Sequence, residues 1–231
     1  MNMLININSP LSYKLNLTGV SPKASEIIGS IFESTFIQDL NKHVELNPYH
    51  DHENVLEHVQ KVFANLQELM KFEFIKDENL KQKYLEYLKE KITSQNNLSR
   101  GELLLIACSL HDISKTTMLK VVDDVGNTKG TGHEHASATL VPEVLRSSEL
   151  SAIEVSLIQF LVDRLDTYGD TFCIPNLTFD VEKDKEIVKN TQPLFYIELL
   201  LHILADNFGA EVYQKFQDYF MYQLFPANLI N

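Results

Sequence analysis

The chain has 231 residues, of which 44% are hydrophobic and 23% charged, and a formal charge of −12. A globular chain of this size buries roughly 70% of the surface its unfolded form exposes, so its core needs no disulfide or metal staple, and any metal would serve chemistry. The excess of 32 acidic over 20 basic residues opposes the phosphate-neutralising contacts that dominate binding to long nucleic acids, which argues against a broad DNA or RNA groove.

Small phosphorylated substrates stay open, because a bound cation reverses the field of an acidic pocket. Two cysteines, Cys108 in an apolar run and Cys173 beside a proline, suggest no disulfide framework. The opening MNMLININSP has neither a basic leader nor a sustained apolar stretch, and the longest apolar segment, Leu103 to Leu110, is far short of a membrane span. The expectation is a cytoplasmic protein with no membrane partner.

In chain order, residues 4–20 alternate apolar and polar positions around Ser9-Pro10, which predicts a small hairpin. From Pro22 the spacing turns helical through Ile27, Ile28, Ile31, Phe32 and Ile37, with Asn47-Pro48 as the stop. A second stripe runs from Val55 to Met70, and a third helical segment spans 74–93. Ser99 followed by Glu102 is a capping signal for an apolar helix reaching Ile113 that should be buried. Residues 119–131 hold Gly126, Asn127 and Gly130 and read as a loop or short hairpin. Helical patterns resume at 133–146, 151–165, 182–190, 193–208 and 210–224. With no repeat, low-complexity tract or linker, this is an all-α protein with a small N-terminal β-hairpin-like extension.

Four polar residues sit where apolar helices should exclude them. His58 shares a face with Val55 and Val62, His111-Asp112 ends the most hydrophobic helix, and Asp206 interrupts LLLHILADNFGA. A buried carboxylate needs a cation, a proton or several donors. For Asp206 the local alternative is a pair with His202, one turn earlier; for His111-Asp112 it is a hydrogen-bonded helix cap. Together, two imidazoles and two carboxylates make a sensible ligand set for a divalent ion.

These residues resemble, in order, the signature of the HD superfamily of metal-dependent phosphohydrolases: a histidine, a His-Asp doublet, then a distant aspartate. NPYHDHENVLEHV, HDISK and GHEHASA are similar to segments of the HD module of bacterial CCA-adding tRNA nucleotidyltransferases, and the resemblance spans about Asn47 to Ala210. It implies an HD-type helical bundle over residues 47–210, preceded by an extension and leading helix (1–46) and followed by a helix of the same domain (211–231). It also implies that His58, His111, Asp112 and Asp206 bind a metal such as Mn, Mg, Fe, Co or Ni, and that Lys115 contacts phosphate. His133 takes the place of a further histidine that serves as second-metal ligand or phosphate contact in many members. Independently, His133 follows Gly130 and Gly132 at a helix start, where free backbone donors favour an anion.

The chain departs from the relatives' Leu-Val-x-x-His pattern at Leu161-Val162-Asp163-Arg164-Leu165, with leucine in the histidine's place. His135, Arg164 and the cluster His43, His50 and His52 read as surface residues. The implied activity is metal-dependent hydrolysis of a small nucleotide-like phosphate ester, with Asp112 orienting water and Lys115 and His133 offsetting phosphoryl charge or His133 protonating the leaving oxygen. The alternatives are a non-hydrolytic nucleotide sensor with the same pocket, and a structural helical module.

Overall fold

Helix starts follow the caps written in the sequence. A computed structural model describes residues 15, 17–47, 50–92, 94, 97–124, 126–172, 178–208 and 213–230. In it Ser21 accepts a hydrogen bond from Ala24 N at the head of α1 (Pro22–Glu33), where Pro22 lacks only an N–H that has no helical partner. Reciprocal capping boxes, Ser99 with Glu102 and Ser151 with Glu154, start α5 (Arg100–Leu110) and α8 (Ala152–Arg164). Each capping glutamate also ties in a distant segment: Ser21 N donates to Glu102 at 3.0 Å, and Asn97 N donates to Glu154 at 2.9 Å.

The described residues are predominantly helical, with two small antiparallel sheets. At the centre lies α5, buried from Leu103 to Leu110 as its composition predicts. Against it pack α1, α8, α3 (Val55–Leu69), α4 (Glu78–Lys89), α7 (His133–Val144) and α11 (Tyr196–Asp206), and α3 also packs on α11. That α3–α5–α11 arrangement forms the site. No helix among the described residues is long and apolar enough to cross a membrane.

The helix expected from Pro22 to Asn47 is cut short. Ser34 is extended (φ −67°, ψ 151°); its hydroxyl donates to Ile31 O and accepts from Ile37 N, ending α1 and starting the short α2 (Thr35–Asp39). After one 3-10 turn, β1 (Val44–Asn47) pairs with β2 (His50–Asn54), with Glu45 opposite Glu53. Asn54 ends that hairpin by capping α3. The 119–131 segment, expected as a loop or hairpin, is a hairpin of β3 (Lys120–Val121) and β4 (Thr128–Lys129), following the short α6 (Lys115–Met118).

The later helices include α9 (Gly169–Phe172), α10 (Val181–Thr191) and α12 (Gln214–Tyr219), the last continuing through a wider π turn at Phe220–Leu224. The hairpin expected over residues 4–20 falls largely outside the described residues, as do Cys173 and Ala210.

Candidate metal centre

Three helices deliver the sequence-predicted ligands to one place. Asn54 starts α3 so that His58, in its first turns, faces inward beside Val55 and Val59, and is only 3% exposed. His111 caps α5, and Asp112 begins the turn beyond it; both are buried. Asp206 is the last residue of α11, and the carbonyl of Ala205 beside it accepts from Asn65 Nδ2 of α3 at 3.2 Å.

Their polar atoms converge. His58 Nε2 lies 2.9 Å from Asp206 Oδ1 and 3.6 Å from Asp112 Oδ2, while His111 Nε2 lies 3.3 Å from Asp112 Oδ2 and 3.9 Å from Asp206 Oδ1. Ligands about 2.1 Å from one ion can be at most about 4.2 Å apart, and all four separations fall inside that span. Proximity is not matched by hydrogen bonding: His111 Nε2, both oxygens of Asp112 and Asp206 Oδ1 are buried without an aligned hydrogen-bond partner. Leaving such groups unsatisfied costs about 1–3 kcal/mol each, more when charged. Atoms so placed fit a cation: His58, His111 and the partly exposed Asp206 each offer a ligand atom within 4.8 Å of the others and could hold a metal ion, with Asp112 beside them rather than in that group.

The electrostatics are those of buried carboxylates kept ionised by the cationic groups around them. Burial opposes ionisation of Asp112, but His111, Lys115 and His133 around it hold its carboxyl well below the usual range. Asp206 is likewise held low against its burial, chiefly by His58. Burial also disfavours a charged His58, yet Asp206, Glu53 and Asp112 push its pKa up to about 10.

Lys115 and His133 are brought in too, on different terms. Lys115 is 5% exposed, its ammonium held 2.8 Å from Glu45 and 2.9 Å from Asp112, so reaching a substrate requires it to leave Glu45. His133 heads α7 after Gly132, whose φ of 77° suits glycine, and its Nδ1 donates to Gly130 O at 2.6 Å. Its Nε2 lies 3.1 Å from Asp112 Oδ1, and its ring remains 21% exposed, at the edge of the cluster. Burial lowers its pKa, but Asp112 outweighs that and raises it to about 9. Ser114 locks α7 to this turn, its hydroxyl donating to His133 O and its N–H to Ser137 Oγ.

Residues not singled out in the sequence complete the surroundings. Glu45 and Glu53, opposite each other on β1 and β2, reach Lys115 and His58 Nδ1, the latter at 3.3 Å. The one signal for them was the alternation Val44-Glu45-Leu46-Asn47 before Pro48, a strand pattern that the all-polar His50–Asn54 does not repeat. His202 does not make the local pair with Asp206: neither ring nitrogen makes an aligned hydrogen bond among the described residues, the backbone carbonyl of Leu165 being only a loose neighbour, and burial pushes its pKa down to about 3. His135 is exposed and pairs with Asp163 at 2.8 Å, Arg164 is half exposed, and Leu165 is buried. The side chains of His50 and His52 lie outside the described residues.

Compared with known proteins, the chain matches no family model and no curated protein.

Proposed function

We propose that this chain is a divalent-metal-dependent phosphohydrolase of the HD type, a phosphomonoesterase or phosphodiesterase acting on a small nucleotide-like phosphate ester. One observation carries the reading: two imidazoles and two carboxylates from α3, α5 and α11 meet in a buried cluster whose atoms lie at ligand spacing yet leave hydrogen-bonding capacity unspent. The ordered His58, His111-Asp112 and Asp206 signature supports it from the sequence side.

His58, His111, Asp112 and Asp206 would hold the ion, drawn from Mn, Mg, Fe, Co or Ni. When bound, such an ion supplies Lewis acidity and lowers the pKa of water. Asp112, with one oxygen toward His133 and the other toward Lys115 and His111, would accept a hydrogen bond from the attacking water and fix its direction. His133, positively charged near neutral pH and partly exposed, sits where a phosphoryl oxygen would arrive; it offsets developing charge or protonates the leaving oxygen. Lys115 keeps Asp112 ionised and contacts phosphate only on release from Glu45.

That engagement of Lys115, with Leu165 in place of a histidine, is what favours the second reading, a non-hydrolytic nucleotide-binding sensor on the same scaffold. Metal analysis of protein purified without chelator decides the first step, and a screen of phosphomonoesters, cyclic nucleotides and dinucleotides with each candidate metal decides the second. The expected result is about one ion per chain and metal-dependent phosphate-ester cleavage. Nucleotide binding with no cleavage under any metal would replace hydrolysis by the sensor, and failure to take up any divalent ion would remove both.

A further inference from the structure

The seam between α5 and α11 carries ligand-type residues one turn deeper than the cluster just described. Arg100 pairs with Glu198 near the starts of these helices and His111 approaches Asp206 at their ends, so the two run in the same direction. Cys108 precedes His111 by three residues and His202 precedes Asp206 by four, which puts each deeper residue on the same face as its outer neighbour. One ligand atom each from Cys108, His111 and His202 lies within 4.8 Å of the others, and all three residues are buried. The rings of His111 and His202 approach edge-on at 5.1 Å.

Two details turn this juxtaposition into a site. His202 is 3% exposed, and among the described residues its ring makes no aligned hydrogen bond, only a loose approach to the backbone carbonyl of Leu165 that leaves the other nitrogen uncommitted. An imidazole in a core almost always donates to or accepts from something, so this ring holds a lone pair in reserve. His111 donates from Nδ1 to the carbonyl of Cys108 at 2.7 Å, so its one available lone pair is on Nε2, and an ion in either group must draw on it. One nitrogen lone pair cannot serve two ions.

The donor sets also differ in kind. The outer group offers imidazole and carboxylate, which suit hard to borderline ions, whereas a thiolate with two imidazoles selects softer ones such as zinc or cadmium. We propose that Cys108, His111 and His202 form a second, thiophilic metal site, exclusive with the outer group because both need His111 Nε2. On binding, the Cys108 thiol releases its proton to water and its sulfur becomes a thiolate ligand; the imidazoles donate lone pairs and no electron is transferred. The inner site stands without the phosphohydrolase reading. Its consequence, that a zinc-class ion switches hydrolysis off by withdrawing a ligand, rests on that reading.

The test uses a Cys173→Ser background, in which Cys108 is the single thiol. Cadmium added to metal-free protein should produce thiolate-to-cadmium charge-transfer absorption saturating at one ion per chain. Cys108→Ala, a substitution a helix accepts readily, should abolish the band, and His202→Gln should weaken cadmium binding at least tenfold. In manganese-loaded protein, cadmium should raise the spin-resonance signal of free manganese one for one, and the Cys108→Ala protein should need at least tenfold more cadmium for the same release.

No band in the parent protein, or a band unaffected by His202→Gln, overturns the inner site. Manganese that stays bound while the band saturates, or equal cadmium sensitivity in Cys108→Ala, overturns the exclusivity. A band without uptake of manganese or of any of the other candidate ions overturns the phosphohydrolase reading and leaves the inner site standing; manganese uptake without a band does the reverse.

Discussion

The two ends of the α5–α11 pair both bury charge, and they do so in opposite ways. At the head, Arg100 Nη1 donates to Glu198 Oε1 at 2.6 Å and to Leu194 O at 2.9 Å, Tyr87 donates to the other oxygen of Glu198 at 3.0 Å, and the guanidinium lies 4.3 Å over the Tyr87 ring. Both carboxylate oxygens there have donors. At the foot, His111, Asp112 and Asp206 stand within ion-pair distance of one another and of His58, yet their inward atoms have no aligned partner. A buried carboxylate is ordinary where both its oxygens have donors, even though Arg100 Nε beside it has no aligned acceptor among the described residues; several open atoms around a common point are what mark a place for something else.

The largest effect should come from the foot. Asp112→Ala removes a central carboxylate, and metal content and phosphate-ester turnover should both fall to background while the fold survives, since a chain of this size needs no metal staple. Metal analysis beside a thermal melt checks this, and unchanged stoichiometry would erase the distinction between the two ends.

At the head, Glu198→Ala strands a buried Arg100 and should cost about 3–5 kcal/mol in urea unfolding. Metal content should not change. A Glu198→Ala protein that lost metal while remaining folded would show that the two ends are coupled through the helices.

A smaller effect tests the hairpin's supporting role. Glu53→Gln weakens the partner of His58 Nδ1 and should lower manganese affinity about 10- to 100-fold without abolishing binding, as loss of an outer partner of a ligand does. Calorimetric titration reads this directly, and unaltered affinity would remove Glu53 from any role in supporting His58.

The smallest effect lies away from both ends, in the capping box of α8. Burial works against the charge on Glu154, but hydrogen bonds from Ser151 and Asn97 hold its carboxyl below the usual value. The folded pKa is thus lower than the unfolded one, so the stabilisation is present above about pH 4.5 and is lost as pH falls through the folded value. Glu154→Gln keeps a side chain that can fill the capping box but loses its charge, and should cost about 0.5–1 kcal/mol at pH 7, with the gap to wild type narrowing in melts taken below pH 4.

Much of this was legible in the sequence. The serine–glutamate spacings announced α5 and α8, the uniform apolarity of Leu103 to Leu110 announced a central helix, and carboxylates and imidazoles on apolar faces announced the cluster. Residues 22–47 were not, because isoleucines at helical spacing continue past Ser34 while the extended backbone that ends α1 depends on one hydroxyl bonding in both directions. Glu45 and Glu53 went unnoticed for a related reason: an acidic residue on a short strand looks solvated until the partner lysine or histidine, far away in sequence, is brought beneath it. The reserve lone pair on His202 was equally hidden, since spacing alone offered Asp206 as its partner.

The order in which the chain is made gives the parallel α5–α11 seam a temporal meaning. His58 and His111 leave the ribosome early, whereas Asp206 follows His111 by about 95 positions, roughly 5–20 s of synthesis. Through that interval a growing chain can offer a passing cation only a fragment of the pocket, with no aspartate at its far wall. If the cluster takes an ion as proposed, capture would come late and all at once, when α11 docks, and newly made protein tagged by bound metal would be protein in which α3, α5 and α11 have already met.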